Sequence, residues 1–320
     1  MSGSEGKTVA VVGTGVIGRS WIRVFTRAGR EARVYDLDPA RSRAAVAWAR
    51  ASARQDEREG FVPVGGAPEE SHRIVPCSSL DEALDGATWV QESGPEDLDM
   101  KRRLYRELDE RADPGAILAS STSALDMTRI AEGLAGASRC IVAHPVNPPH
   151  VVPVVEVLPG AETAQEVVTA TLELLTDVGQ SPVLVNRFVP GFLLNRMQAA
   201  LVREAVSLIG SGVASADAID AVVRDGLGLR WALMGPFGTG HTNADGGVGD
   251  YYRRYGAAYR SLWDDLDPDP DFSDAVIDRI HEGTEAIYGP DATRTLAEWR
   301  DRVVRRIRAL KVEDPPPSAD

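Results

Sequence analysis

The sequence predicts an α/β protein in which a doubly wound parallel sheet is followed by an all-helical region. Three observations support this fold class. Short apolar runs rich in β-branched residues alternate with amphipathic stretches through the first 190 residues, which is the pattern of a parallel sheet with helices on both faces. A glycine-rich turn joins the first apolar run to the first amphipathic stretch. After about residue 191 the strand-like runs end and only helical periodicity continues.

The individual elements follow from local patterns. A stripe of apolar side chains at helical spacing predicts the first helix over residues 16–28, and Pro39 opens a long second helix rich in alanine and arginine. Strands are expected at residues 8–12, 32–35, 73–75, 88–91, 116–119 and 140–143, with two later ones at 151–158 and 181–186 that extend the same sheet. Further helices are expected at residues 191–210, 215–226 and 271–310.

These elements divide the chain into three parts. Residues 1–190 form the predicted sheet domain, and residues 191–312 form the predicted helical domain. The boundary is expected at Val189-Pro190-Gly191, where the strand signal ends. The tail at residues 313–320, EDPPPSAD, is rich in proline and acid and is expected to be disordered.

The composition narrows the classes of partner. A net charge of -13 disfavours nucleic acid or an anionic membrane as the main partner, because both require a basic face. No run of about 18 apolar residues occurs, so no membrane span is expected. Cys77 and Cys140 form neither a disulfide framework nor a metal-ligand spacing, so a reducing cytoplasm and the absence of a bound metal are expected.

The segment VAVVGTGVIG, residues 9–18, is typical of a dinucleotide-binding turn. Gly13 permits a tight turn, Gly15 lets the backbone approach a pyrophosphate, and Gly18 lets the helix pack closely on the sheet. The first helix then offers free N–H groups and partial positive charge to the phosphates. Asp36 ends the second predicted strand, where a carboxylate would bind the adenosine ribose and repel a 2′-phosphate, which favours NAD over NADP.

Alternatives to an NAD site stay open at this point. Arg41 and Arg43 lie downstream of Asp36 and could accommodate NADP, and FAD would use a similar turn, although no second flavin signature occurs. A glycine-rich turn followed by an unrelated helix-capping aspartate would show the same sequence pattern. The order of strand, turn, helix, strand and acid favours a Rossmann-type NAD-binding domain.

His144 is the first candidate for chemistry. It follows an apolar run and precedes Pro145, which places it at the carboxyl end of a predicted strand, where open α/β sheets bind ligands. Glu156 ends another apolar run, and a carboxylate beside a histidine can fix its tautomer and raise its basicity for general acid–base work. A structural histidine and a strand-capping glutamate explain the same spacing, so both interpretations stay open.

Several motifs resemble the 3-hydroxyacyl-CoA dehydrogenase superfamily. Within it the chain is most similar to the lambda-crystallin type, whose activity is L-gulonate 3-dehydrogenase. The resemblance covers the chain from Val9 to about Leu310, and HPVNPP and GLGLRWALMGP are its most specific motifs. The resembling segments are GTGVIGRSW at 13–21, VQESGPEDLDMK at 90–101, SSTS at 120–123, HPVNPP at 144–149, GFLLNR at 191–196 and GLGLRWALMGPF at 226–237.

The resemblance implies a role for each matching residue. His144 resembles the catalytic acid/base, and Glu156 resembles the carboxylate that orients it. Ser123 resembles the hydroxyl that contacts substrate and nicotinamide, and Asn195 resembles the amide that positions the substrate oxygen. The residues that match the family's NAD contacts are Val16, Ile17, Asp36, Glu96 and Lys101.

Structural roles remain possible for several of these residues. Asn195 could be an ordinary polar residue of a helix. Ser123 could cap a helix expected over residues 125–130. Glu96 and Lys101 could be solvated helix charges. The resemblance also implies that the helical domain binds substrate and forms a homodimer.

The resemblance leaves the substrate open. Arg230 is a candidate clamp for a substrate carboxylate, because a guanidinium binds a carboxylate through two hydrogen bonds, but it could instead be a helix-end or dimer-interface arginine. The same motif resembles carnitine dehydrogenases, whose quaternary ammonium substrate would favour an aromatic box. The candidates for that box are Trp231, Phe237, Tyr251 and Tyr252.

Three functions are therefore considered beside the gulonate type. A carnitine dehydrogenase and a 3-hydroxyacyl-CoA or 3-hydroxybutyrate dehydrogenase would use the same acid/base pair. A crystallin-like or NAD-sensing protein without catalysis is the alternative of another class, and it would tolerate the loss of His144 or Glu156, which are both present.

Overall fold

The computed structural model describes residues 8–61, 73–289 and 291–316. The chain divides into two compact units, Met1–Leu194 and Asn195–Asp320. His72, and residues 317–320 of the tail expected to be disordered, lie outside the described residues. Glu313, the first residue of that tail, is the last residue of a helix.

The described part of the first unit contains one eight-stranded sheet with the order β3-β2-β1-β4-β5-β6-β7-β8. Each strand overlaps a segment in which one was predicted. The strands are β1 Thr8–Val12, β2 Glu31–Tyr35, β3 Ile74–Pro76, β4 Ala87–Glu92, β5 Ile117–Ser120, β6 Cys140–Pro145, β7 Val154–Pro159 and β8 Ser181–Leu184.

One strand pair departs from the predicted parallel sheet. β6 and β7 are antiparallel, whereas β7 and β8 are parallel to each other. The connection at residues 146–153 is too short for the crossover that a parallel pair needs, which usually takes about a dozen residues or more. The register places His144 directly opposite Glu156.

Helices cover both faces of the sheet, which confirms the doubly wound fold. Along β1, Val9 and Val11 face one apolar core and Ala10 and Val12 face the other. The helices of this unit are α1 Val16–Arg27, α2 Pro39–Arg58, α3 Leu80–Leu84, α4 Leu98–Arg111, α5 Met127–Ile130 and α6 Gln165–Asp177. α1, α2 and α6 pack on the first face, and α3, α4 and α5 pack on the second.

Packing within the protein accounts for two of the three glycines in the first turn. Gly13 has φ +88°, and a Cβ there would lie 2.8 Å from the carbonyl group of Ser93. A Cβ on Gly18 would overlap the carbonyl oxygen of Gly13. Both positions therefore require glycine, whether or not a ligand binds.

The described part of the second unit is helical. Its helices are α7 Leu194–Gly210, α8 Ala216–Ala221, α9 Gly228–His241, α10 Gly247–Asp265, α11 Asp274–Tyr288 and α12 Thr293–Glu313. A π-helical stretch, Val222–Leu227, joins α8 to α9. No helix in the described part of the chain is long and apolar enough to cross a membrane.

The sequence pattern did not predict α9 and α10. Glycine lowers helix propensity by about 1 kcal/mol per residue, and this segment is rich in glycine. Gly235 has φ +68°, which breaks the helical backbone immediately before Pro236 and kinks α9. His241 is the last residue of α9.

The helical unit has a small core of its own. The buried apolar cluster contains Val206, Ile209, Ala216 and Val276. Many large apolar side chains of this unit are instead exposed. They include Met197, Leu229, Leu233, Met234, Phe237, Leu262, Trp263, Trp299, Leu310 and Val312.

We expect Gly18→Ala to lower the free energy of unfolding by about 1–3 kcal/mol, because the new methyl group must displace the backbone of Gly13. Urea denaturation followed by tryptophan fluorescence measures this change. Gly256→Ala is the matched control, since its Cβ would meet only the end of Arg260 at 3.7 Å. A Gly18→Ala protein as stable as the wild type would contradict the tight packing described above.

Candidate active site

The predicted site residues of the first unit follow strands that end at the same edge of the sheet. The glycine turn follows β1, Glu96 follows β4, Ser123 follows β5, and His144 lies near the end of β6. Because β1, β4, β5 and β6 are parallel neighbours, their carboxyl ends share one edge. This is the edge at which open α/β sheets bind ligands.

Gly15 has a conformation and surroundings that differ from those of Gly13 and Gly18. Its φ of -63° is open to any residue, and a Cβ there would meet no atom of the described residues within 4 Å. Packing among those residues therefore does not require glycine here. Gly15 is also the N-cap of α1, so the helix end and the open space beside it fit the backbone of a dinucleotide.

Asp36 holds the glycine turn and keeps capacity for a ribose. Its Oδ2 accepts hydrogen bonds from the backbone N–H and hydroxyl of Thr14, at 2.8 and 2.7 Å. Its Oδ1 accepts one from the N–H of Asp38 at 3.0 Å. A carboxylate offers about four acceptor sites, so one site on Oδ1 is left for a ribose hydroxyl.

His144 and Glu156 form a buried pair across β6 and β7. His144 Nδ1 lies 2.8 Å from Glu156 Oε2, and the side chains are 9% and 2% exposed. The other oxygen of Glu156 accepts hydrogen bonds from the N–H groups of Leu193 and Leu194, at 2.7 and 2.9 Å. Burial raises the pKa of Glu156, but the bonds from His144 and these amides outweigh it and hold the pKa below its usual value.

An irregular turn presents these two amides to Glu156. Gly191 and Phe192 both have positive φ, +76° and +48°. For a non-glycine residue this conformation costs about 1–3 kcal/mol. The ring of Phe192 is fully buried and meets the His144 ring edge-on, with centroids 5.4 Å apart. Sequence reasoning did not assign Phe192 a role, although the GFLLNR motif contains it.

Ser123 does not cap a helix. Asp126 is the N-cap of α5, and its side chain accepts from the N–H of Thr128. Ser123 instead belongs to a loop held by Glu96. Glu96 Oε1 accepts from the N–H of Ser123 at 2.9 Å and from its hydroxyl at 3.3 Å.

Lys101 is not a solvated helix charge. Its side chain is 2% exposed, and Nζ donates to both oxygens of the fully buried Glu92, at 2.7 and 2.9 Å. Glu92 also accepts from the hydroxyl of Ser120 and the N–H of Gly94, each at 2.6 Å. Sequence reasoning missed Glu92, which ends β4. The cofactor contacts expected of Lys101, Glu96, Val16 and Ile17 stay predictions.

The other predicted residues belong to the second unit. Asn195 is exposed near the start of α7, and Arg230 is exposed on α9. Their substrate roles stay predictions. No group of three or more histidine, cysteine, aspartate or glutamate side chains suited to a metal ion occurs among the described residues.

The tyrosines of α10 pack against one another, and Phe237 of α9 joins them at the exposed edge. Tyr251 meets Tyr252 and Tyr259 edge-on, with centroids 5.2 and 6.4 Å apart, and Phe237 meets Tyr252 at 6.2 Å. The Tyr251 hydroxyl lies 3.3 Å from the Tyr259 hydroxyl, and this hydrogen bond, followed by burial, raises the pKa of Tyr259 to about 12. In each of these edge-on pairs, the edge of one ring covers the face of the other. These pairs therefore leave no open space between ring faces for a quaternary ammonium group.

Comparisons with known families match both parts of the chain. The NAD-binding domain of 3-hydroxyacyl-CoA dehydrogenase matches residues 8–188, and the C-terminal domain of the same family matches residues 191–276. The lambda-crystallin homolog of Bos taurus is 42% identical over 311 residues, which is 96% of each chain. L-carnitine dehydrogenase of Pseudomonas aeruginosa is 37% identical over 305 residues, covering 93% of this chain and 92% of that protein.

Solved structures show the same fold. A 5-formyl-3-hydroxy-2-methylpyridine 4-carboxylic acid 5-dehydrogenase, described as an NAD+ dependent dismutase, has a TM-score of 0.80 and 27% identity over 95% of this chain and 98% of that one. The 3-hydroxybutyryl-CoA dehydrogenase of Escherichia coli has a TM-score of 0.66 and 28% identity over 83% of this chain and 55% of that one.

We expect Gly15→Ala to weaken NADH binding at least about tenfold while leaving the free energy of unfolding within about 0.5 kcal/mol of the wild type. The added methyl group enters space that the protein does not fill, so only the ligand meets it. Quenching of tryptophan fluorescence by NADH gives the dissociation constant, and urea denaturation gives the stability. Gly256→Ala again serves as the control. An unchanged NADH affinity would show that the dinucleotide does not approach Gly15.

Proposed function

This chain belongs to the 3-hydroxyacyl-CoA dehydrogenase family and is an NAD-dependent dehydrogenase that acts on a 3-hydroxyl group, and from that premise we propose that it oxidises a small 3-hydroxy acid with His144 as the acid/base. The observation that carries the proposal is the buried His144–Glu156 pair at the ligand-binding edge of the sheet. The crystallin-like or sensing alternative does not require this pair.

The pair sets the chemistry of the imidazole. The lowered pKa of Glu156 keeps its carboxylate ionised near neutral pH, so Oε2 accepts a hydrogen bond and Nδ1 carries the proton. Nε2 of the neutral ring then holds a lone pair and is the atom that takes the proton of a substrate hydroxyl. Glu156 stabilises the imidazolium that forms, and its two backbone partners keep it from rotating away.

The remaining polar groups place the substrate. When bound, NAD supplies the acceptor for the hydride that leaves the substrate carbon bearing the hydroxyl group. Ser123 and Asn195 donate hydrogen bonds to the reacting oxygen as its charge changes. Arg230 binds the substrate carboxylate, which its exposed position on α9 allows.

The proposed substrate is L-gulonate or a similar small hydroxy acid. Relatives of the lambda-crystallin type and L-carnitine dehydrogenases are similarly distant, so identity alone does not separate them. The packed tyrosine cluster supports the first class, because a quaternary ammonium needs ring faces around an open space. A carnitine-type or a 3-hydroxybutyrate or CoA-ester substrate is the alternative outcome.

A substrate panel tests the proposal. L-gulonate, L-carnitine, 3-hydroxybutyrate and its CoA ester are each offered with NAD, and NADH absorbance reports turnover. The proposal expects the highest kcat/KM on L-gulonate. If kcat/KM is highest on carnitine or on the CoA ester, that compound's class replaces the small hydroxy acids as the proposed substrate. No turnover on any member, with NADH binding intact, would favour the NAD-sensing alternative.

We expect His144→Gln to keep NADH affinity and to lower kcat at least about 100-fold, because glutamine cannot take the hydroxyl proton. Steady-state turnover on the best substrate and fluorescence titration with NADH measure the two quantities. His281→Gln is the matched control, since His281 is a largely exposed residue of α11 that pairs only with Glu285 in the contacts described. Wild-type turnover in His144→Gln would remove His144 from the mechanism.

We also propose that the protein is a homodimer formed through its helical unit, in a reducing cytoplasm. The many exposed apolar side chains of that unit support a covered face, since monomers rarely expose large apolar patches. Cys77 and Cys140 are free and buried, which suits a reducing compartment. Sedimentation velocity at micromolar concentration is expected to give the mass of two chains. A single 34.4 kDa species would contradict the dimer.

A further inference from the structure

The loop that bears Ser123 is held by acids from the neighbouring strand end. Ser120 ends β5, and residues 121–124 continue across the edge of the sheet. Glu92 ends the adjacent strand β4, and Glu96 lies in the loop that follows it. Glu92 accepts from the hydroxyl of Ser120, and Glu96 accepts from the three residues after Ser121.

Glu96 concentrates four donors on one oxygen. Oε1 accepts from the Thr122 hydroxyl at 2.7 Å and from the N–H groups of Ser123 and Ala124, at 2.9 and 2.8 Å. The Ser123 hydroxyl is the fourth donor and the most distant, at 3.3 Å. A carboxylate oxygen has two lone pairs, so this hydroxyl is held least strongly. It is therefore placed by its backbone yet available to donate elsewhere.

Lys101 contacts both acids that hold this loop. Its ammonium is bound to Glu92 and lies 3.9 Å from Glu96 Oε2. The positive charge offsets part of the repulsion between the two acids. Oε2 of Glu96, unlike Oε1, keeps acceptor capacity for a further ligand. The cofactor contact that the family resemblance implies for Glu96 can thus coexist with its hold on the loop.

We propose that Glu96 is a positioning residue that acts through Ser123: it fixes the Thr122–Ala124 backbone so that the Ser123 hydroxyl meets the substrate oxygen. The inference rests on the proposed function for the role of Ser123. A loop misplaced by about 1 Å can cost about 100-fold in rate, so a clamp of this kind has a kinetic effect without touching the reacting atoms.

Hydrogen exchange of the protein without cofactor tests the clamp itself. In Glu96→Ala the N–H groups of Ser123 and Ala124 lose a charged acceptor, and we expect their exchange to accelerate about tenfold or more. Glu96→Gln keeps a carbonyl acceptor and is expected to retain part of the protection. Asp99→Ala, an exposed acid in the first turn of the helix α4 that begins just after Glu96, is the control. Unchanged exchange in Glu96→Ala would overturn the proposal.

A double-mutant cycle tests whether Glu96 acts through Ser123. The variants are Ser123→Ala, Glu96→Ala and the pair, assayed for kcat, KM and NADH affinity on the best substrate of the panel. We expect Glu96→Ala to lower kcat about 10- to 100-fold, Glu96→Gln to recover part of it, and the pair to match Ser123→Ala within about twofold. Losses that multiply, or weaker NADH binding with unchanged kcat, would mean that Glu96 serves the cofactor alone.

The proposed function and the positioning role of Glu96 fail under different results. If the wild-type protein turns over no substrate of the panel, the proposed function fails, while the exchange rates still decide whether Glu96 orders the loop. If the wild type turns over substrate and the cycle is multiplicative, the proposed function stands and the positioning role fails.

Discussion

The short connection between β6 and β7 is the constraint on which the site depends. Residues 146–153 cannot make a parallel crossover, so β7 runs back beside β6 and pairs with it in antiparallel register. That register sets Glu156 directly opposite His144, where directly opposed side chains lie on one face of the sheet. A parallel β7 would not place these two residues opposite each other.

Burying Glu156 creates a second requirement. A buried carboxylate is costly unless its oxygens are bonded, and His144 satisfies only one of them. The other oxygen takes the amides of Leu193 and Leu194, at the start of α7. The chain meets this need with positive φ at Gly191 and Phe192. The strained backbone at Phe192 is thus explained by the charge that it helps to hold.

Sequence patterns predicted the sheet well because buried strands carry continuous apolar runs that need no partner to be recognised. Which side chains contact each other was harder to predict from the sequence. Spacing alone could not decide whether His144 meets Glu156, since the answer depends on strand direction. Glu92 was missed because a single buried acid in a polar stretch has no periodic signal. The helices α9 and α10 were missed because their glycines disfavour helix locally, whereas packing between α9 and α10 favours it.

The GxGxxG motif shows which roles of a glycine can be read from the sequence. The sequence assigned Gly13 to a tight turn, Gly15 to the approach of a pyrophosphate and Gly18 to close packing, and contacts within the protein require glycine at the first and the last of these. Gly13 and Gly18 are required by contacts with Ser93 and with each other, so their presence says little about a ligand. Only Gly15 lacks a reason within the protein. Within the glycine turn itself, the local support for a dinucleotide is therefore Gly15, together with the remaining acceptor site of Asp36.

The pairing of the buried cations bears on where a substrate carboxylate can bind. Three buried cations of the sheet unit already have acid partners: Lys101 with Glu92, Arg23 with Asp56 and Arg139 with Asp109, at 2.7 to 2.9 Å. Diverting one of them to a substrate would leave a buried carboxylate without its partner, at a cost of several kcal/mol, about 3–5 for a broken buried pair. An exposed guanidinium such as Arg230 can bind a carboxylate without that cost.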